Sequence, residues 1–341
     1  MKHFTIAFLL ALIALCAVLY CLPSKIRTAV ETTEQLTGCE VVATTYPIWL
    51  FTREIMDGSG REPLLLTPPD AGCPHDYTLT TNDLLKISGI RKPILLFQNG
   101  AGMDDHICKA AMSAHKGIMV VDTAAGIEVI DDDDDDDEHD EHDHEAEHDE
   151  HDAEEEEEHE EGHHHHHHGG ENGHFFASPY QARKIVATIA DELAKNDLIH
   201  ANKFRENAAK LDKRLQLLGD EFKSQLEPYA ETHVAAQHSV FDYLLHDCGF
   251  ETPLAIFADP ETPLSPAEIT ELSKKFKEHG VKVIFTEPQY PDDLAKLLAK
   301  ETGAAVVKLD PVVSGPQNPP AGYYIDTMGR NLELMKKALA E

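Results

Sequence analysis

Apolar residues along the chain fall into short unbroken runs, separated by stretches in which they recur every three or four positions. The short runs have the length and β-branched content of buried strands, and the longer stretches have the period of helices packed on one face. Residues 39–47, Cys-Glu-Val-Val-Ala-Thr-Thr-Tyr-Pro, predict a strand ended by proline, and 48–56 a helix stopped at Asp57-Gly58-Ser59-Gly60. A short strand is predicted at 61–66, a helix at 84–90, a buried strand at 92–97, a helix at 104–113 and another buried strand at 117–122. Alternation of this kind implies a layered α/β lobe.

The rhythm breaks at 131–170, where no apolar face exists at any period. Such a segment buries too little surface to offset its ordering entropy, so it is expected to be disordered when metal-free. Ser178-Pro179 then starts a helix running towards Leu193, and a second helical pattern covers 200–226 with Leu211, Leu215 and Leu218 on its apolar side. At ~1.5 Å per residue the second is a rod of roughly 40 Å, a length that suits a rigid connector between domains. The α/β rhythm then resumes. Strands are expected at 232–236, 281–286 and 304–309, and helices at 240–247, 291–302 and 325–339. A further helix starts at Ser265-Pro-Ala-Glu268, where Ser and Glu have capping-box spacing. The chain therefore divides into a first lobe at 38–195 carrying the insert 131–170, a connecting helix at 200–227 and a second α/β lobe at 231–341.

Charge sharpens this division. The formal net charge is −33 over 341 residues, but residues 131–168 alone hold 23 acidic residues and 12 histidines, with no Lys or Arg. Outside that stretch 39 acidic residues face 29 basic ones, a net of −10. No basic patch exists to hold phosphates, so nucleic acid is excluded as a partner, whereas cations are attracted. At the N-terminus Lys2 precedes an apolar run from Phe4 to Leu22 closed by Pro23. Residues 1–23 read as a signal peptide or membrane anchor, and the protein as exported, either periplasmic or anchored outside the cytoplasmic membrane. Cys16 and Cys21 lie in that leader. Cys39, Cys73, Cys108 and Cys248 remain, match no CxxC zinc module and leave three complete disulfide pairings open. Cys248 has no nearby partner in its half and is expected to be a buried free thiol.

Ligands of open α/β sheets bind outside the carboxyl ends of strands. Metal-competent side chains at such exits are His75, His238, Glu287 and Asp310, while His174 stands where the insert meets the first helix after it. Singly, a loop histidine is more often solvated surface than a ligand, and Glu287 and Asp310 could be helix caps. Together, three imidazoles and a carboxylate from separate loops suit four-coordinate zinc. The insert adds weaker sites at His139, His142, His144, His148, His151, His159, His163, His164, His165, His166, His167 and His168. Mixed imidazole and carboxylate clusters suit zinc, copper or nickel, whereas calcium and magnesium prefer oxygen alone.

These features resemble the zinc-specific solute-binding proteins of ABC importers, the cluster A-I group, over residues 38–341. The resemblance rests on Val41-Val-Ala-Thr-Thr-Tyr-Pro47, Pro74-His-Asp-Tyr77, Phe97-Gln-Asn-Gly-Ala-Gly-Met103 and His174 before Ser178-Pro179. Phe285-Thr-Glu-Pro-Gln289, Leu309-Asp-Pro311 and the acidic, His-rich insert complete it. One departure is Thr78-Leu79-Thr80 after Tyr77, where relatives have an acidic residue and proline. The resemblance implies two Rossmann-like α/β lobes joined by a long rigid helix, with the metal site in the interlobe cleft. His75 and His174 would come from the first lobe and His238 from the second. Asp310 matches the carboxylate that many relatives use as fourth ligand, and Glu287 is assigned a supporting place behind a ligand.

The implied function is an extracytoplasmic zinc receptor, a monomer, that delivers Zn(II) to a membrane permease while the insert collects metal. A flexible segment of 38 residues spans about 35 Å r.m.s. and ends close to His174, which would raise local metal concentration at the cleft. Affinity is expected to fall as the histidines protonate below ~6.5. A manganese-binding receptor of the same family is an alternative, although such relatives tend to carry a carboxylate where this chain has His238. A sequestering buffer with no transport partner shares every binding feature, whereas a zinc hydrolase lacks support because no HExxH motif is present, so enzymatic activity is not expected.

Overall fold

The computed structural model of the chain describes residues 39–130, 171–257 and 264–341. The expected leader at 1–23 with Cys16 and Cys21, and the segment 131–170 with its 12 histidines, lie outside the described residues. No helix among the described residues is long and apolar enough to cross a membrane.

The first half builds one parallel sheet from β1 (Glu40–Ala43), β2 (Leu64–Leu65), β3 (Ile94–Gln98) and β4 (Ile118–Asp122), in the order β2-β1-β3-β4. Val42 pairs with Leu64 on one side and Leu96 on the other, which fixes the register. Helices α1 (Tyr46–Met56), α2 (Thr81–Ser88) and α3 (Asp105–Ala114) connect these strands. The second half repeats the plan with β5 (Val234–Ala236), β6 (Leu254–Ala255), β7 (Val283–Thr286) and β8 (Ala305–Lys308), parallel and in the order β6-β5-β7-β8. Both sheets therefore reverse their winding between their first and third strands, the crevice where open α/β sheets bind ligands.

Between the halves run α4 (Pro179–Asn196) and α5 (Ala201–Leu226). Ser178 caps α4 through its hydroxyl, which accepts from Tyr180 N, and Pro179 occupies the first turn, where its missing N–H costs nothing. Phe204, Leu211, Leu215, Leu218, Phe222 and Leu226 form the buried stripe of α5. The helix is not a bare rod. It packs along α4, against α1 of the first half and against α9 (Tyr323–Ala340) of the second. The sequence period reveals such an apolar stripe but not what covers it. Gly219 permits the close approach to α4, since a Cβ there would lie 3.0 Å from the Tyr180 ring. One apolar core runs through Phe51, Phe97, Phe176, Leu215, Phe241 and Phe285, tying both sheets to this helix pair.

One expectation needs correction, and one element went unpredicted. The strand at 117–122 is not buried: β4 is a sheet edge with Met119 and Val120 exposed at 42% and 37%. An apolar run signals strand content but does not distinguish a central position from an edge. The two-residue β6 carries too few positions to show any period, and the sequence reading passed over it. The helix at Pro266–Glu278, α7, begins as expected, with Ser265 and Glu268 bonding each other's backbone N–H. Helices α6 (Asp242–Asp247) and α8 (Asp293–Thr302) complete the second half. Cys39, Cys73, Cys108 and Cys248 are all buried free thiols, so none of the open pairings forms among the described residues.

Candidate metal centre

Each histidine is delivered by a short irregular segment at the carboxyl end of a sheet. His75 lies on a single 3-10 turn, Pro74–Asp76, in the segment between β2 and α2. Two residues after it, the Tyr77 hydroxyl donates to Asp83, and Asp83 also closes a capping box with Thr80 at the start of α2. These bonds hold the loop Thr78-Leu79-Thr80 that leads from His75 into α2. His174 opens a 3-10 turn, His174–Ala177, that runs into Ser178 and α4. The Phe97–Met103 segment fixes that turn. The Asn99 side chain donates to Gly173 O at 2.9 Å, and a Cβ on Gly173 would come within 2.8 Å of Met103. His238 follows β5 by two residues, and Glu287 follows β7 directly, at the winding reversal of the second sheet. The matching crevice of the first sheet is filled by Asp104, which accepts from the Thr44 hydroxyl and from the N–H groups of Asn99 and Gly100.

The structure brings the three imidazoles together. Ring centroids lie 5.6 Å apart for His75 and His174, 5.8 Å for His75 and His238, and 4.9 Å for His174 and His238. Each ring is fixed by a partner on one nitrogen. Nε2 of His75 meets Asp76 at 3.0 Å, and Asp76 in turn accepts from the Tyr290 hydroxyl of the second half at 2.7 Å. Nδ1 of His174 donates to the Asn172 side-chain oxygen at 2.9 Å. Nδ1 of His238 donates to Glu287 at 2.6 Å. Imidazoles that ligate metals are oriented in this way, one nitrogen held so that the other presents its lone pair. Nε2 of His238 is buried and has no hydrogen-bond partner. Leaving a buried polar atom unpaired costs about 1–3 kcal/mol, a cost that a bound cation would offset.

A fourth side chain joins them. Sγ of Cys73 lies 3.1 Å from His75 Nδ1 and 3.3 Å from His174 Nε2, and the ligand atoms of these three residues all fall within 4.8 Å of one another. The sequence reading saw Cys73 only as a possible disulfide partner. The signal it offers is its place two residues before His75 across a proline, which becomes meaningful only once the 3-10 turn is known. Asn172 and Tyr290, which orient two of the rings, also went unread. His238 stands beside this group of three, its ring 4.9 Å from that of His174, and Asp310 is not in the group. Its Oδ1 accepts from Val312 N, and its backbone is tied on both sides to the Asn331 side chain.

Electrostatics suit a cation. Burial, together with the neighbouring His238 and His75, holds the His174 imidazole well below its ordinary pKa, so this ring is neutral. Burial also opposes charge on His238, but the Glu287 carboxylate outweighs it and moves that imidazole upward. Burial raises the Cys73 thiol, and the Glu287 and Asp76 carboxylates raise it further. Asp76 stays below the usual carboxylate range in spite of burial, because His75 and Tyr290 bond to it. Two carboxylates thus stand immediately behind three imidazoles and a thiol, a donor set that fits zinc in tetrahedral coordination.

The family described as zinc-uptake complex component A, periplasmic (ZnuA), matches residues 41–338. Among curated proteins, the high-affinity zinc uptake system protein ZnuA of Bacillus subtilis is 29% identical over 303 residues, covering 88% of this chain and 87% of that protein. The zinc-binding protein AdcA of Streptococcus pyogenes is 27% identical over 306 residues, covering 87% of this chain but only 55% of AdcA. Among solved structures, FpvC of Pseudomonas aeruginosa in complex with Mn2+ matches with a TM-score of 0.71 at 24% identity, covering 89% of this chain and 99% of that one. A zinc-bound variant of Streptococcus pneumoniae AdcAII matches with a TM-score of 0.67 at 22% identity, covering 89% and 99%. At these identities the structural matches establish the fold, two parallel-sheet α/β lobes. With the family matching residues 41–338, most of the chain, this protein belongs to the ZnuA family of zinc-uptake components.

Proposed function

We propose that this chain is an extracytoplasmic zinc receptor that binds one Zn(II) between its lobes through His75, His174 and His238 and delivers it to an ABC importer permease. The observation that carries this reading is the convergence of three imidazoles from three separate loops, each with one nitrogen fixed and the other aimed inward. Their distribution over both halves means that the cation joins the lobes when bound. Imidazole and thiol donors favour zinc over manganese, which takes oxygen-rich sites. The zinc-uptake and zinc-binding names of the relatives from Bacillus subtilis and Streptococcus pyogenes agree with this choice. Glu287 is committed to His238, which leaves it serving a ligand and not standing as a free base.

The His-rich insert serves as a collector on this reading. The backbone N–H of Asn172 donates to Ile130 O at 2.8 Å, so residues 130 and 172 on either side of the insert meet beside His174. Metal held weakly by the insert is therefore released next to the cleft. The test is zinc uptake by cells lacking the endogenous gene and resupplied with variants. Wild type restores uptake, and His75→Ala or His174→Ala does not. Deletion of residues 131–169 lowers uptake only when zinc is scarce. A variant set that binds zinc normally while uptake never depends on the protein would replace the receptor with a sequestering buffer.

A further inference from the structure

We propose that Cys73 is the fourth zinc ligand, its thiolate completing a site of three nitrogens and one sulfur with His75, His174 and His238. This rests on the zinc-receptor reading above.

Nε2 of His75 is engaged by Asp76 and Nδ1 of His174 by Asn172, so the two remaining nitrogens are acceptors. Both of these acceptors face the same sulfur, at 3.1 and 3.3 Å. A single S–H can donate to only one of them, which leaves the other lone pair directed at a sulfur lone pair. A cation among the three atoms removes that conflict. The distances agree: Zn–S of ~2.3 Å and Zn–N of ~2.0–2.1 Å at tetrahedral angles place sulfur and nitrogen about 3.5 Å apart. The buried, unpartnered Nε2 of His238 is a second, independent indication of a ligand, since its ring stands 4.9 Å from that of His174 and 5.8 Å from that of His75.

Asp310, the carboxylate that the family resemblance offers as fourth ligand, is engaged within its own loop, where its Oδ1 accepts from Val312 N. On binding, the Cys73 S–H bond breaks, a sulfur lone pair forms the bond to zinc, and one proton leaves to solvent, with no change of oxidation state. Zn(II) then faces the Cys73 thiolate and the Glu287 and Asp76 carboxylates behind His238 and His75, so the dication offsets most of the negative charge gathered there. A thiolate further biases the site towards zinc and away from manganese.

The test is cobalt(II) substitution of the full chain at one equivalent, compared with Cys73→Ser. Wild type should show a thiolate-to-cobalt charge-transfer band in the near ultraviolet. Cys73→Ser should lose that band while keeping the visible bands of a bound, low-symmetry cobalt ion, which reports that the fold and the histidines persist. If the variant does not fold, X-ray absorption of wild type with one equivalent of zinc decides, through a sulfur neighbour at ~2.3 Å. A tight metal site whose neighbours are only nitrogen and oxygen overturns the thiolate and leaves the receptor reading standing. Absence of any tight site in wild type removes both.

Discussion

At His238 two constraints meet: Nδ1 is tied to Glu287 at 2.6 Å, and Nε2 is buried without a partner. Glu287 therefore selects the tautomer and raises the basicity of the ring that faces the cleft. Glu287→Gln retains an oxygen acceptor but removes the charge, and zinc affinity is expected to fall about 10–100-fold. Competition with a chelating dye measures this, and unchanged affinity would deny Glu287 its orienting role. Much of this residue-level chemistry was legible in the sequence. His75, His174 and His238 stand in loops at sheet ends, flanked by prolines or a helix start that mark where chain direction changes. Cys73 was not legible, because a lone cysteine before Pro-His fits no metal-binding spacing. Asn172 and Tyr290 reach their rings through folded geometry that no local pattern encodes.

At the scale of elements, the placement of His75 depends on how α2 begins. Asp83 accepts from Thr80 N, the Thr80 hydroxyl, the Tyr77 hydroxyl and Lys86 Nζ. Burial alone would raise its carboxyl, but bonds from Lys86, Tyr77 and Thr80 outweigh burial and hold it well below the usual carboxylate range. A carboxyl depressed by folding adds stability above its unfolded value of ~3.9, and that contribution is lost as pH falls through the lower folded value. Asp83→Ala should therefore cost about 1 kcal/mol near neutrality. The difference from wild type should shrink in acid below the carboxylate range. Urea denaturation at both conditions checks this, and a gap independent of pH would contradict it. Helix starts and strand runs were readable because caps and β-branched runs are local signals. The edge position of β4, the short β6 and the 3-10 turns were not, since they depend on neighbours remote in sequence.

For the whole molecule, alternating strands and helices were enough to read two α/β lobes and a long helix between the sheets. The common strand order of the two sheets emerged only from pairing. The lobes meet through named bonds around the cleft. The Tyr46 hydroxyl donates to Pro316 O at 2.9 Å, Tyr324 to Phe176 O at 2.7 Å, Tyr290 to Asp76 and Asn172 to Ser239 O. Gly315 lies so close to Tyr46 that a Cβ there would meet its hydroxyl at 2.6 Å. The candidate metal site is thus assembled by the relation of two lobes, with His75 and His174 on one side and His238 on the other. One zinc ion is expected to bind across this junction. Calorimetric titration of zinc into the full chain and into His238→Ala tests that most directly. A tight one-to-one step is expected in wild type, above weaker binding by the His-rich insert, with loss of that step in the variant. Multiple weak events of the same size in both proteins would contradict it, and would leave the insert as the whole of the zinc-binding activity.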